Sequence, residues 1–389
     1  MNVLIVHNQY QLVGGEDAVA VNEGELLKKY GNNVFYYIRN NSEINDMNIF
    51  KKIFAAFGTI YSFKSYREIE KIIKENNIEV VHVHNVVPLI SPSVYYVAKK
   101  NNCRLVQSVH NMRMLCPNGT MVRNNKICED CVNKNLWCAV KNKCYRNSRL
   151  QTLFLTLSML IHRKLKSYDK VDAYLVTTKF NYDMLSKVIN QKKIYLKPYC
   201  LDVPIRDLNN KTKDYYVYVS RLEFLKGIQV ALEAFKELPD LKLKVLGVGP
   251  DEEKSKKYVY DNKMKNVEFL GFKKLDEMRD LIYNAKALVF PTQWYEGFPM
   301  TIVESMALGT PIIGSDVGNV GSIIEEGING YKYKYNDSTK LIEVIINYEH
   351  LSQRANTIEK STQDIFIRNH NENNIIKLIN RLYNNEGNI

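Results

Sequence analysis

The sequence of 389 residues is long enough for two domains with separate cores, and its 45% apolar and 25% charged residues exclude a disordered or fibrous chain. The formal charge of +12 sits in one half: residues 1–200 hold 29 Lys and Arg against 15 Asp and Glu, and residues 201–389 hold 25 against 27. No apolar run approaches the roughly 20 residues that span a bilayer, which excludes a transmembrane helix.

A basic half implies an anionic partner, either nucleic acid, an anionic membrane surface or a phosphorylated acceptor. No RRM, KH or helix-turn-helix pattern appears, so nucleic acid is not expected among the partners. The opening MNVLIVHN reads as a buried strand and lacks the basic flank and cleavage site of a signal peptide. The expected location is therefore the cytoplasm, with contact to the inner face of the plasma membrane as its extension. Seven cysteines in that compartment are expected as thiols or metal ligands rather than disulfides.

In chain order, residues 3–6 form the continuous apolar run of a parallel strand covered on both faces. A loop with Gly14-Gly15 follows and leads into a helix that stops at Gly31, a geometry that brings backbone N–H groups close to a phosphate. The pattern is not GxGxxG, and a plain tight turn also explains two adjacent glycines. Residues 34–38 form a second strand. Residues 50–75 mix apolar, aromatic and basic residues at near-helical spacing. They are either core-facing helices with solvated lysines or an interfacial surface with Lys51, Lys52, Lys64 and Arg67 outside. Strands at 79–83 and 104–109 come next, and the second ends at His110, at the edge where parallel sheets bind ligands. His82 and His84 alternate along the earlier strand, and His84 is the one expected at that edge.

An insertion at 112–147 carries Cys116, Cys128, Cys131, Cys138 and Cys144. Cys128-x2-Cys131 has metal-knuckle spacing, and Cys116, Cys128, Cys131 and Cys144 could close a tetrahedral structural zinc site. Reduced thiols and disulfides are the alternatives. Residues 149–168 form an apolar helix with basic ends, 173–177 form a strand, and 194–204, with Pro198 and Pro204, read as an interdomain linker.

In the second half, an alternating strand at 214–220 ends at Ser220-Arg221. Arg221 and Lys226 straddle the loop before the next helix, where a guanidinium fork and a mobile ammonium suit a diphosphate. Surface cations of this kind are also ordinary solvated charges. Gly247-x-Gly249 is explained by a turn. The strand at 287–290 opens the stretch PTQWYEGFPMTIVESMALGTP, in which Pro299 suits a first helical turn and Gly309 and Pro311 end the helix. Glu296 lies just before that helix and Glu304 within it. A free helix N-terminus attracts anions, and carboxylates beside it can grip hydroxyls.

The Glu-x7-Glu pair inside EGFPMTIVESMALGTPII resembles the signature of retaining glycosyltransferase family 4. YVSRLEFLKGIQVALEAF, LKVLGVGP, VEFLGF and EEGINGYKY resemble further blocks of that family in the same order, and QSVHN is similar to its strand-ending histidine block. The resemblance covers most of the C-terminal half and is thinner before it. It implies an α/β protein of the GT-B fold, with two Rossmann-like β/α/β domains facing each other across a cleft. Residues 1–198 would be the acceptor-side domain and 199–365 the nucleotide-sugar domain, with 366–389 a helix crossing back. It further implies donor binding by Gly14, Gly15, Arg221, Lys226, Gly297, Phe298, Pro299, Met300 and Glu304, and catalytic roles for Glu296 and His110. The implied reaction is retaining transfer from a UDP- or GDP-sugar to a saccharide acceptor, lipid-linked through a polyprenyl diphosphate, in surface-polysaccharide assembly. The chain contains no Asp-x-Asp, which fits catalysis without a metal cofactor. A phosphorylase, a sugar-nucleotide epimerase and a silent nucleotide-sugar-binding subunit are the rival readings.

Overall fold

The computed structural model describes residues 1–10, 15–351 and 355–385, with the side chains of 49–53 and 355–356 left aside. Gly14 and the side chains of Lys51 and Lys52 therefore lie outside the described residues. The chain divides into two compact units: Met1–Met121 with Cys128–Cys200 and Glu372–Ile389, and Leu201–Asn371 with Val122–Ile127.

The first unit is built on six parallel strands: β1 (Asn2–Gln9), β2 (Asn33–Asn40), β3 (Val80–Asn85), β4 (Arg104–Ser108), β7 (Ala173–Val176) and β8 (Ile194–Leu196), in the order β2-β1-β3-β4-β7-β8. A two-residue hairpin of β5 (Val122–Arg123) and β6 (Lys126–Ile127) interrupts the series. β1 is apolar at consecutive positions because both of its faces are covered. Leu4 and Val6 join one core with Ile69, Ile73, Val94 and Val97, while Val3 and Ile5 join the other with Leu26, Leu27 and Ile379. The second core is closed by the last helix, Glu372–Tyr383, through Ile375, Ile376, Ile379, Leu382 and Tyr383. Each such side chain contributes on the order of 2 kcal/mol by leaving water.

One local reading changes. The linker read at 194–204 begins with a strand, β8, which pairs with β7 through Tyr174↔Ile194 and Val176↔Leu196. Three residues are too few for a period-2 pattern to register in the sequence, and pairing with an existing edge supplies the order that propensity does not.

The second unit has six parallel strands in the order β11-β10-β9-β12-β13-β14. They are β9 (Tyr216–Val219), β10 (Leu243–Leu246), β11 (Val267–Gly271), β12 (Leu288–Phe290), β13 (Ile312–Ser315) and β14 (Gly330–Tyr333). The chain winds outward from β9 to β11, then returns to β12 on the other side of β9. The order thus reverses between β9 and β12, and loops splay apart at such a reversal to leave room for a ligand at the carboxyl ends of the strands. The helix Ala355–Asn369 belongs here, with Ile365 and Phe366 in the core, so the crossover to the first unit comes at Glu372.

Two glycines in this unit hold the loops close. Gly227 has φ +74°, and a Cβ there would lie 1.8 Å from the Pro291 carbonyl oxygen; at Gly247, φ is +127° and a Cβ would lie 2.0 Å from the Ser220 carbonyl oxygen. The loops after β9, β10 and β12 can meet backbone to backbone because these positions have no side chain.

Candidate functional site

At the reversal point of the second unit, Lys226 and Glu296 come together. The loop after β9 turns through a short 3-10 segment, Phe224–Lys226, and places the Lys226 ammonium 2.8 and 2.7 Å from the two Glu296 carboxylate oxygens. Thr292 Oγ1 donates to Glu296 Oε1 at 2.8 Å and Trp294 Nε1 donates to the same oxygen at 2.9 Å. Glu296 is only 5% exposed, so this carboxylate is held by one cation and two neutral donors rather than by water. The Lys226 ammonium also lies over the Trp294 ring. Asn319 Nδ2 donates to the carbonyls of Glu296 and Gly297, which fixes the backbone leading into the helix Met300–Ala307.

That helix begins at Pro299, whose side chain can offer no cap, so its first N–H groups have no side-chain acceptor from the cap position. Gly297, Phe298, Pro299 and Met300 therefore form a run of backbone beside a buried carboxylate and a helix's positive end. Phe298 packs against the core of the unit. Arg221 stands at the end of β9 with its side chain 64% exposed and its Nε 3.6 Å from Glu223, free to reorient. Glu304 lies deeper on the helix, 8% exposed, with the Arg279 guanidinium 3.6 Å away. Burial pushes the Glu304 carboxyl above the usual range, and Arg279 pulls against that shift.

In the first unit the polar groups gather at the carboxyl ends of β1, β3 and β4. His110 Nε2 meets His84 Nδ1 at 2.9 Å, and His110 Nδ1 meets the Tyr199 hydroxyl. His82 is bonded to the Tyr383 hydroxyl through Nδ1 and to Ser108 through Nε2. The rings of His82, His84 and His110 stack in sequence, with centroids 4.7 and 5.1 Å apart. Burial pushes His82 down to about 4 and His110 to about 3, and His84 also falls well below its ordinary value, so all three are neutral at pH 7. His7 pairs with Asp17 at 2.7 Å. Among the described residues, Glu23, His82 and His84 are the one trio of His, Cys, Asp or Glu ligand atoms lying within 4.8 Å of one another. The Lys197 ammonium, 2.6 Å from Glu23, already supplies the cation there.

Beside this cluster is a pocket of roughly 60 Å³, lined by His84, His110, Arg113, Tyr95, Met114 and Met159 among others. That is room for several waters or one small anion. His84 Nε2 and the Nε and Nη1 of Arg113 are buried without hydrogen-bond partners, so the pocket wall carries unspent polar groups. Gly15 begins the helix Gly15–Lys29 in open space, and its neighbour Glu16 accepts from Tyr10 and Asn111.

Sequence reasoning singled out Lys226, Glu296, Glu304 and His110 but missed the residues that hold them: Thr292, Trp294, Asn319, Arg279 and Tyr199. Thr292 and Trp294 carried a faint signal, since they precede Glu296 by four and two positions in the same loop. Asn319, Arg279 and Tyr199 come from distant segments and carried none.

Residues 205–365 match the family described as glycosyl transferases group 1. Among characterised and uncharacterised relatives, an uncharacterised glycosyltransferase of Methanocaldococcus jannaschii is 34% identical over 128 residues, covering 32% of this chain and 36% of that protein. The poly(glycerol-phosphate) alpha-glucosyltransferase of Bacillus subtilis is 30% identical over 184 residues, covering 45% of this chain and 27% of that protein. The chain thus spans about a third of the length of these relatives. The crystal structure of Anabaena HepE in complex with UDP is similar over 98% of this chain and 99% of that one, with a TM-score of 0.66 at 14% identity.

Proposed function

Residues 205–365 belong to the glycosyl transferases group 1 and the chain has the GT-B fold, and from that premise we propose that it transfers a sugar, with retention, from a nucleotide-sugar donor to a saccharide acceptor in polysaccharide biosynthesis. The observation that carries this reading is the buried Glu296, gripped by Lys226, Thr292 and Trp294 beside an uncapped helix N-terminus. In the reaction the bond between the sugar's anomeric carbon and the diphosphate oxygen breaks, and the acceptor oxygen bonds to the same face. The acceptor proton passes to the departing phosphate oxygen. Charge grows on the diphosphate, so fixed cations and N–H groups around it lower the barrier.

Arg221 and Lys226 take the diphosphate, with the helix N-terminus adding its partial positive charge. The family resemblance assigns donor binding to Gly14 and Gly15 as well. Glu304 accepts from the ribose hydroxyls, Glu296 and the N–H groups of Gly297, Phe298 and Met300 orient the sugar, and the family resemblance gives His110 its catalytic role. Without donor, Lys226 is committed to Glu296, so the diphosphate competes with that carboxylate for the ammonium. The cations stand where a Mg²⁺ ion would otherwise neutralise charge, and catalysis is proposed to need no metal. A thermal-shift panel with UDP, GDP, ADP and their sugar conjugates, with and without EDTA, tests the assignment. One nucleotide series should raise the melting temperature by several degrees, unchanged by EDTA; no shift with any of them would sink the transferase reading.

The acceptor is proposed to be lipid-linked, with the protein docked on an anionic membrane surface. Phe54, Phe57 and Phe63 are 76%, 57% and 70% exposed, and Lys64 and Arg67 are exposed beside them, an arrangement that suits apolar insertion under acidic headgroups. The name of the Bacillus subtilis relative, with its phosphate-rich acceptor, supports an anionic acceptor. Replacing the three phenylalanines with serine should cut binding to phosphatidylglycerol vesicles at least tenfold and leave the nucleotide-induced thermal shift in place. Equal vesicle binding by the variant would remove the membrane from the proposal.

A further inference from the structure

Arg113 lines the pocket of the first unit, and its Nε and Nη1 are buried without hydrogen-bond partners. Among the described residues it forms no ion pair with a carboxylate. Glu16, the acid whose charge reaches it, already accepts from the Tyr10 hydroxyl and the Asn111 amide. The side chain is nonetheless held in place. Asn111 Oδ1 accepts the Arg113 backbone N–H at 3.0 Å, and the guanidinium carbon stands 5.8 Å from the centre of the Tyr145 ring. Gly119, at φ +81°, leaves room on the other flank, where a Cβ would come to 3.4 Å from Nη2. A fixed guanidinium with buried, unpaired nitrogens is costly unless a ligand supplies the anion.

An imidazole adds a second open donor. His84 lines the same pocket, is 3% exposed, and has no partner at Nε2. Its Nδ1 meets His110 Nε2 at 2.9 Å, and His110 Nδ1 meets the Tyr199 hydroxyl. When Tyr199 donates to His110 Nδ1, His110 donates onward from Nε2 to His84 Nδ1, which leaves the His84 proton on Nε2. His84 then offers an N–H while staying neutral. The wall around these donors includes Val86, Val109 and Met159, and such apolar surroundings strengthen a bond to an anion. At about 10–15 Å³ per water, the roughly 60 Å³ of the pocket holds about four or five heavy atoms, the size of a phosphoryl group. One guanidinium balances one negative charge, which is the charge of a phosphodiester and less than that of a monoester at neutral pH.

We propose that this pocket is a phosphodiester subsite, in which Arg113 pairs with the anionic oxygens and His84 donates to one of them from Nε2. On the transferase reading above, the phosphodiester is the acceptor's own, and the subsite selects acceptors by that group. It shares no residue with Arg221 and Lys226, the cations assigned to the donor diphosphate.

The test is calorimetric titration of the full chain with dimethyl phosphate at constant ionic strength. It is run with and without the nucleotide named by the thermal-shift panel, so a chain that binds no nucleotide still reports on this site. One saturable site is expected, weakened at least about tenfold in Arg113→Gln and several-fold in His84→Gln. If Arg113→Gln does not fold, the wild-type titration and His84→Gln decide. Dihexanoyl phosphatidylglycerol below its micelle concentration separates the sources of the group. Binding at least about tenfold tighter than dimethyl phosphate assigns the subsite to a lipid headgroup, and any smaller preference assigns it to a soluble phosphate-linked acceptor. No saturable binding of dimethyl phosphate by the wild type, undiminished binding by a folded Arg113→Gln or His84→Gln variant, or acetate bound as tightly as dimethyl phosphate overturns the proposal.

Discussion

Glu296→Gln is expected to lower turnover by about a hundredfold or more while nucleotide-diphosphate binding is kept or tightened several-fold. The isostere preserves the local fold. If the amide oxygen takes the place of Oε1, it still accepts from Thr292, Trp294 and Lys226, and the amide NH₂ replaces Oε2, the second oxygen that Lys226 meets. Lys226 then keeps a neutral acceptor in place of a carboxylate, and a negative charge leaves the neighbourhood of the diphosphate, so the anion binds better. The sugar loses the charged acceptor that orients it, so the reaction slows. Calorimetric titration with the nucleotide named by the thermal-shift panel, set beside steady-state rates, separates the two effects. Full turnover in Glu296→Gln would remove Glu296 from the mechanism. Glu296→Ala is the poorer probe, because it strands a half-buried ammonium, a hydroxyl and an indole N–H that have lost their common acceptor.

The second large effect is a loss of stability in mild acid. His82, His84 and His110 are held below their ordinary value, chiefly by burial, with Glu23 opposing the shift at His82 and His110. A histidine whose folded value is depressed stabilises the fold fully above its unfolded value of about 6.5 and loses that contribution as pH falls. Between pH 6 and 5 each of the three takes up a proton only on unfolding, so the unfolding free energy should fall by up to about 4 kcal/mol per pH unit. Urea unfolding at pH 7, 6 and 5 measures the slope. His82→Gln keeps a neutral polar group between Tyr383 and Ser108 and should flatten the slope by about a third. A stability that is level from pH 7 to 5 would mean that the cluster opens to water.

The candidate residues of the two units were legible to very different extents. Lys226, Glu296 and Glu304 stand out because their neighbours in the chain also build the site: a strand end, a short loop and a helix start are local events, governed by glycine, proline and apolar runs a few residues long. The exposed Phe54, Phe57 and Phe63 show the opposite limit. Their spacing alone favoured a core face and left a surface one open, because a periodic pattern tells which residues share a face and not what that face meets. The Glu23, His82 and His84 trio is similar: three ligand-type residues look like a metal site until Lys197, over a hundred residues away, is found bonded to Glu23.

By itself the sequence determined the alternation of strands and helices, the strand-end position of His110, the loop-to-helix positions of Lys226 and Glu296, and the basic character of one half, since each follows from local periodicity, turn chemistry or simple count. Only the tertiary structure decided that Thr292, Trp294 and Asn319 hold Glu296 and its loop, that β8 extends the first sheet, that the last helix closes the core over Val3 and Ile5, and that three histidines are buried neutral. Those outcomes depend on which distant segments share a low-dielectric space, and burial, which sets both the partner and the charge state, is a property of the folded arrangement and not of any stretch of chain.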